Sequence, residues 1–531
     1  MTTESRAAVL TSDHPDGDRA TSRDPKWWTL AAVCLGTFML LLDITIVNVA
    51  LPAIQRSLHS SFADLQWVVD AYALTLAALL LTAGSLADMF GRRKLWVFGL
   101  VIFTASSALC GAAQSPTMLI LSRGLQGIGG AIMFAVSLAL LANAFHGKDR
   151  GVAFGAWGAI TGVAVAIGPI VGGALVTGLS WRYIFFVNLP IGIVAVVLSV
   201  TRVVESRNEH ARRPDWAGFA CFTVALAGLV YGLIESGIVG FGSARVITAL
   251  AVAAALIVVF VGVEARSEHA MFDLSLFRLP TFTGGSLAAF GVSAGIFSIL
   301  LYLVLYLQDV LGYSALQTGL RLLVLSGAIM VVAGVAGRLT SKVPIRALIG
   351  PGLALAGAGM LLMRGLTAGS SWTHLIPGLV IAGIGVGFVN PPLASTAVGV
   401  VEPQRSGMAS GINSTFRQVG IATGIALLGS LFVTQLGTAV ASRTAGKGLA
   451  LHAATITTGL EDGNVGQILA RVPADQRALV VHVLRGSFTS ALNEILLIAA
   501  IISLASAVLA FALIRSRDFV PAGGGPPAPT H

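Results

Sequence analysis

The chain has 531 residues, of which 55% are hydrophobic and only 11% charged, and its mean hydropathy is +0.86. A soluble domain carries about 25% charged residues, so a water-soluble fold around one core is excluded and a membrane protein is expected. The net charge of +9 does not mark a nucleic-acid binder, because Lys and Arg fall in short runs between apolar segments, with no basic stripe or interleaved aromatics. Such runs fix the orientation of a membrane chain. Cys34, Cys110 and Cys221 all lie in apolar segments without metal-ligand spacing, so neither a disulfide framework nor a metal site is expected.

Residues 1–26 are polar and lack an apolar core, and they read as a disordered cytoplasmic tail. A hydrocarbon core of about 30 Å needs roughly 20 apolar residues per helix. Cutting at polar and Gly/Pro breaks predicts spans near 28–50, 66–86, 94–113, 117–141, 152–178, 183–201 and 216–236. Seven more follow near 245–264, 281–307, 315–337, 345–364, 374–400, 407–436 and 491–514, which makes 14. The first is followed by polar groups without a small-residue cleavage site, so it is a retained span and not a signal peptide.

Charge tests that count. With the N-terminus in the cytoplasm, the inward loops carry Arg92, Arg93, Lys94, Lys148, Arg150, Arg202, Arg207, Arg212, Arg213, Arg266, Arg278, Arg338, Lys342, Arg346 and Arg405. The outward loops and flanks carry Arg56, Arg182, Arg245 and Arg364. Fifteen against four places both termini in the cytoplasm, in a multi-pass chain of the cell (inner) membrane. The one long connection, 437–486, is expected to be an outward loop, with short surface helices as the alternative, and 518–531 is expected to be a disordered tail.

An internal repeat divides the chain. Gly84-Ser-Leu-Ala-Asp-Met-Phe-Gly-Arg-Arg-Lys94 joins spans 2 and 3, and Gly337-Arg-Leu-Thr-Ser-Lys-Val-Pro-Ile-Arg346 joins spans 10 and 11. Both begin Gly-x-Leu and end basic, eight spans apart. This predicts an all-α integral membrane fold with a six-helix bundle over 27–202, two inserted helices over 203–279 and a second bundle over 280–517. Halves of this kind are common in secondary transporters.

The 84–94 loop carries the most specific spacing. Gly91 permits a tight turn, and Asp88 beside a helix N-terminus is expected to satisfy unpaired amides and the dipole. With Gly84, Arg92 and Arg93 it forms a charged latch expected to hold two bundles together in one conformation and release them in another. This spacing resembles the signature loop of the major facilitator superfamily. Leu41-Leu-Asp-Ile-Thr-Ile-Val-Asn-Val-Ala-Leu-Pro52 is similar to the first-span motif of its 14-helix drug/proton antiporters, the multidrug and quaternary-ammonium exporter branch. Trp181-Arg-Tyr-Ile-Phe-Phe-Val-Asn-Leu-Pro-Ile-Gly192 and Gly407-Met-Ala-Ser-Gly-Ile-Asn-Ser-Thr-Phe-Arg-Gln-Val-Gly420 resemble further marks of that branch, so the likeness runs from Trp27 to about Arg517.

Asp43 sits mid-span, where a carboxylate is costly unless protonated, paired or facing a watery cavity. It is a candidate for taking and releasing a proton; the bland alternative is a carboxylate bonded to nearby backbone. Asn48 and Pro52 on the same helix are expected to shape its outer end, Asn48 as a substrate contact. Arg123, in Leu119-Ile-Leu-Ser-Arg-Gly-Leu-Gln-Gly-Ile-Gly-Gly-Ala131, resembles a fourth-span position that the family associates with proton transfer, with Asp43 as its expected partner. The alternative is a snorkelling anchor. Asp70, in Trp67-Val-Val-Asp-Ala-Tyr72, is implied by the same resemblance to serve cationic cargo, against a plain helix-entry carboxylate.

Gly158, Gly162, Gly168, Pro169, Gly172 and Gly173 match the fifth-span pattern that the family links with antiport; Gly-x-x-x-Gly spacing lets backbones approach, and the proline predicts a kink. Gly407, Gly411, Gly420 and Gly424 give a comparable seam on span 13. Glu235 resembles an acidic position of the branch, with a peripheral role as the alternative. Asn390 and Arg417 are expected to line the cavity or hold helices together, Asp309 to be a cap or loop residue, and Arg321 has no counterpart in the family pattern.

The resemblance implies a monomeric, proton-driven exporter of small amphipathic or cationic molecules working by alternating access, with no cofactor and no catalytic residues. A lipid or metabolite exporter is the main alternative. An ATP-driven pump is disfavoured because Gly147-Lys148-Asp149 lacks the phosphate-loop glycine and hydroxyl. A membrane-embedded enzyme is disfavoured because no paired-acid motif or His-rich metal set occurs.

Overall fold

The computed structural model describes residues 25–145, 147–207, 215–267, 272–340, 342–401, 406–445, 457, 472–473 and 476–519. The tails expected at 1–26 and 518–531 lie outside the described residues except at their inner edges, where Pro25 and Lys26 open the first helix and Ser516–Asp518 form a 3-10 turn. Arg212, Arg213 and Arg405 also lie outside them.

Among the described residues the regular structure is helical, as a bilayer demands of backbone that has no water to bond with. The first bundle holds α1 (Pro25–Leu58), α2 (Phe62–Phe90), α3 (Arg92–Gly111), α4 (Pro116–Ala144), α5 (Gly147–Gly178) and α6 (Tyr183–Arg202). A hairpin of α7 (Trp216–Val239) and α8 (Ala244–Glu264) follows. The second bundle holds α9 (Pro280–Val310), α10 (Ala315–Leu339), α11 (Arg346–Leu362), α12 (Ile376–Val398), α13 (Ser406–Thr444) and α14 (Arg477–Leu513). Thirteen of these are long and apolar enough to cross a membrane; α11, at 17 residues, is apolar and shorter, about 25 Å.

The halves repeat each other's packing. In the first, α2 and α3 pack on α4, α1 packs on α5, and α6 on α1 and α3; in the second, α10 and α11 pack on α12, α9 on α13, and α14 on α9 and α11. The likeness reaches details. Both α2 and α10 begin with reciprocal capping boxes, Ser61 with Asp64 and Ser314 with Gln317. Gly168 and Gly172 seat α5 against Thr45 and Ile46 of α1, and Gly420 and Gly424 seat α13 against Phe290 and Ala294 of α9. A methyl at Gly172 would lie 2.8 Å from Ile46 Cγ1, so only glycine permits the approach.

The halves meet along two seams related by the same symmetry, α5 on α10 and α2 on α13. At the end away from the chain termini, here the far end, the α5–α10 seam is closed. Gly173 lies against Ala315 and Leu316, Gly319 against the Pro169 carbonyl, and the Leu316 amide donates to Thr177 Oγ1 at 3.0 Å. Ser326 Oγ donates to the Ala166 carbonyl at 3.4 Å, lower down. Past that point the same helical faces separate: a Cβ on Gly155, Gly158 or Gly162 of α5, or on Gly327, Gly334 or Gly337 of α10, would meet nothing within 4 Å. Along α5 and α10 the halves thus part toward the terminal side, while Gly411 of α13 stays against Leu81 of α2. Two contacts across the far end reinforce closure: Arg56 pairs with Asp309 at 3.1 Å, and Gln308 Nε2 donates to the Val49 carbonyl at 2.8 Å. Asp309 is therefore the carboxylate of an ion pair between the halves, in the last turn of α9, and not a simple cap or loop residue.

The hairpin α7–α8 covers the α2–α13 seam. Phenylalanines fasten it to the second half on the terminal side, with Phe222 of α7 5.3 Å from Phe260 of α8 and 6.0 Å from Phe272, and Phe277 5.8 Å from Phe416 of α13. At the other end Ser236 and Ser430 share a 2.7 Å hydrogen bond.

The expected loop at 437–486 is shorter than predicted, because α13 continues to Thr444 and α14 starts at Arg477. Leu436 and Val440 on one helix and Val480, Leu484 and Phe488 on the other are buried in one apolar cluster. That stripe at four-residue spacing is diluted by Gly, Thr and Arg, so average hydropathy hides it. Residues 446–456 and 458–471 of this connection lie outside the described residues.

Gly319→Leu is expected to wedge the closed end apart, with overpacking of about 1–3 kcal/mol against the Pro169 carbonyl. The measurement is the distance between spin labels at the exposed positions Leu179 and Leu320, which should lengthen.

Candidate functional site

Five helices of the first half converge on Asp43, which is 0% exposed near the middle of α1. Arg123 of α4, 2% exposed, binds Asp43 Oδ2 through Nη1 at 2.6 Å. The other carboxylate oxygen accepts from Gln126 Nε2 at 2.8 Å and Asn188 Nδ2 at 3.1 Å. Arg123 is itself held in place: Nε donates to the Val68 carbonyl at 3.1 Å, Nη1 to Gln126 Oε1 at 2.7 Å, and the guanidinium lies 4.2 Å over the Tyr72 ring. Ser107 of α3 accepts from both amides, at 3.3 and 3.0 Å, and donates to the Phe185 carbonyl. The cluster is compact because Gly127 lets α4 approach α2, where a Cβ would stand 2.6 Å from the Tyr72 carbonyl.

A buried charge pair with both carboxylate oxygens hydrogen-bonded is costly to halve, about 3–5 kcal/mol when one partner is removed. Chemically it can do one thing simply. A proton on Asp43 would remove the charge that attracts Arg123, leaving the guanidinium to the Val68 carbonyl, Gln126 and the Tyr72 ring. The sequence brought Asp43 and Arg123 together as partners, and the geometry does the same. Gln126, Asn188, Ser107 and Tyr72 were not singled out. The signal for two of them was present, since Gln126 and Asn188 are amides within the apolar motifs 119–131 and 181–192.

The expected substrate contacts fall in separate places. Asn48, five residues beyond Asp43 on α1, lines a cavity of about 50 Å³ with Thr45, Val165, Pro169, Phe297, Leu300 and Leu325, between α1, α5, α9 and α10. Arg417 donates to Asn390 Oδ1 at 3.0 Å, which joins α13 to α12. Glu235 faces Arg245 at 3.8 Å at the far end of the hairpin, in keeping with its peripheral alternative. Asp70 is 0% exposed, and neither of its oxygens has a hydrogen-bond partner. It is no water-contacting helix-entry residue, because α2 starts two turns earlier at Phe62. Arg321 stacks 3.6 Å over Tyr313 and 5.0 Å from the Trp372 ring, tying α10 to the start of α12.

The latch is built differently from expectation. Gly91 has φ 107°, a conformation that needs glycine. Asp88 does not cap α3; it takes Arg92, with Nη2 at 2.8 Å and Nε at 3.0 Å. The cap is Glu205, from the segment after α6, which accepts from the amides of Arg93 at 2.9 Å, Lys94 at 3.2 Å and Ser206 at 3.0 Å. Asp88 is drawn the other way because the guanidinium one turn on offers two donors, while Glu205 reaches the open amides across the chain. These bonds stay within the first half, and a Cβ on Gly84 would meet nothing within 4 Å. In this conformation, open on the terminal side, the latch does not bridge the bundles.

The fold and the paired halves define a secondary transporter. A family model described as Major Facilitator Superfamily matches residues 33–425, and the chain belongs to that superfamily. It is 40% identical over 409 residues, 77% of this chain and 76% of the other, to Multidrug resistance protein Stp of Mycobacterium tuberculosis. It is 32% identical to the Tetracenomycin C resistance and export protein of Streptomyces glaucescens, over 94% of each chain. A bacterial homolog to the human lysosomal transporter Spinster, solved in an inward-facing and occupied conformation, superposes with a TM-score of 0.64 at 19% identity, over 95% of this chain and 100% of that one. It shares the fold. The protein is thus a multi-pass transporter of the branch whose members include drug- and antibiotic-resistance proteins.

Two substitutions test the roles assigned to residues outside the expected set. Asn188→Ala removes a donor from Asp43 and another from Ser107, and is expected to cost about 1–3 kcal/mol. Glu205→Ala uncaps α3 and is expected to cost about 1 kcal/mol. Both should lower the melting temperature of the detergent-solubilised protein, Asn188→Ala by more.

Proposed function

We propose that the protein is a proton-coupled exporter of amphipathic small molecules, drugs among them, working by alternating access. The observation that carries the reading is the sealed Asp43–Arg123 pair on the helix that also forms the cavity wall. Thr45 and Asn48 line the cavity within two turns of Asp43. Thr45 and Ile46 carry the glycine contacts that hold α5 to α1. A proton on Asp43 therefore acts on the same stretch of helix that shapes the cavity and the closed seam.

The cavity lining selects for chemistry. It offers one amide and two hydroxyls among aliphatic and aromatic surface, and no charged group. Such a wall suits the apolar part of an amphipathic molecule, with Asn48 as an orienting contact. The names of the relatives, which refer to multidrug and antibiotic resistance, support drugs as cargo. The basic bias of the inward loops supports cytoplasmic termini, so that the open side faces the cytoplasm and cargo leaves outward. The proton gradient is the energy source in this reading, and the chain works as a monomer without a cofactor.

The test is uptake into inverted vesicles under an imposed pH gradient, with a panel of neutral and cationic amphipathic compounds and a fluorescent phospholipid. Wild type is expected to move the amphipathic compounds and not the phospholipid. Asp43→Asn, which keeps the shape and loses the titration, is expected to lower gradient-driven transport roughly tenfold or more. Undiminished transport by Asp43→Asn would sink the coupling role, and movement of the phospholipid alone would replace the drug with a lipid.

A further inference from the structure

Where the halves meet at the far end, α2 contributes Phe62, Gln66 and Asp70, spaced four apart on one helical face. The second half contributes Tyr302 of α9, Phe432 of α13 and Phe488 of α14. The Phe62 ring lies 5.9 Å from Tyr302 and 5.7 Å from Phe432, and Phe432 lies 4.9 Å from Phe488. Beside these rings, Gln66 Nε2 and Tyr302 Oη both donate to the Ile425 carbonyl at 2.9 Å. Gly429 makes this closeness possible, since a Cβ there would collide with the Gln66 side chain. The result is a tight contact across the two halves.

Asp70 sits one turn from Gln66 toward the middle of that seal. Both carboxylate oxygens are closed off from water and neither has a hydrogen bond. The stretch around it packs into an apolar cluster of Ala73, Val230, Ile234, Ala422 and Ala426. No counter-charge is supplied by the helices that pack on α2. On α13 there is no titratable residue between Arg417 and Arg443. On α9 the nearby titratable group is Tyr302, whose hydroxyl is committed to Ile425. Glu235 of α7 faces Arg245, and Arg123 of α4 is held by Asp43 of α1. An ionised carboxylate without a donor, a counter-charge or water is not tolerated in such a place. A site closed to a water-sized probe also has no room for an organic cation or a metal ion. It has room for a proton.

We infer that Asp70 is a gating proton site, whose protonation permits the far seal to close and whose deprotonation accompanies its opening. When the seal is open, a carboxylate oxygen takes a proton from far-side water, forming an O–H bond and removing the charge. When the seal reopens, that bond breaks and the proton returns to the same water. While the seal is closed Asp70 is shut off from both sides, so this proton is not carried across the membrane. The inference rests on the alternating-access reading above and separates two protons: one at Asp43 that drives transport, one at Asp70 that licenses a conformation.

The closed form binds one proton more than the open form, so raising the pH favours opening, by at most about tenfold in the open-to-closed ratio per pH unit. The experiment reads the distance between spin labels at Ser57 and Thr373, exposed positions at the far ends of the two halves, in the full-length protein across a pH series. Wild type is expected to shift from short to long distances as pH rises, and Asp70→Asn to stay short throughout, whatever part of the shift Asp43→Asn retains. A wild-type distance that ignores pH, or an Asp70→Asn protein that still shifts, overturns the inference. Loss of the shift in Asp43→Asn but not in Asp70→Asn would also overturn it, and would assign gate control to the coupling pair instead.

Discussion

A carboxylate in the middle of a membrane helix has to be satisfied by something, and the first half of this protein is arranged around meeting that demand at Asp43. The guanidinium of Arg123 takes one oxygen and two amides take the other. Each of those groups is fixed in turn by a backbone carbonyl, a hydroxyl or an aromatic face. Because the donors come from α4 and α6, with Ser107 of α3 and the Val68 carbonyl of α2 holding them, the charge joins five of the six helices of its bundle. The glycines of α4 follow from the same demand, since donors can reach the carboxylate only if the backbones come close.

The second half meets no such demand and is built on apolar contact, with backbone-to-glycine approaches of α13 to α9 and of α12 to α11. Symmetry of packing therefore coexists with asymmetry of chemistry. The seams between halves show the same division of labour. Glycines hold the far end shut by contact, while at the terminal end the same faces of α5 and α10 stand apart, so the conformation is determined by which stretch of two long, small-residue faces is in register.

Much of this was legible in the sequence because a bilayer leaves few options: apolar length counts the helices, and a repeated Gly-x-Leu loop exposes the halves. Asp43 stood out because mid-span charge is expensive, and Arg123 because its surroundings resemble a fourth-span motif of the family. What escaped was whatever depends on long-range placement. Glu205 lies more than a hundred residues from the helix it caps, and nothing local marks it as a cap. Asp309 and Arg56 look like ordinary loop-end charges until the halves are brought together. The extra turns of α13 and α14 were hidden because Gly, Thr and Arg dilute their apolar stripe and lower the average hydropathy.

The hairpin α7–α8 has a mechanical consequence. Packing symmetry alone would make the α2–α13 and α5–α10 seams equivalent slots facing lipid on opposite flanks. The hairpin lies over one of them, cemented to the second half by Phe222, Phe272, Phe277 and Phe416 and touching α2 through Trp67, Ala73 and Leu81. The molecule thus has a boarded flank and a bare one, and a molecule dissolved in the membrane meets the parted helices from a single direction.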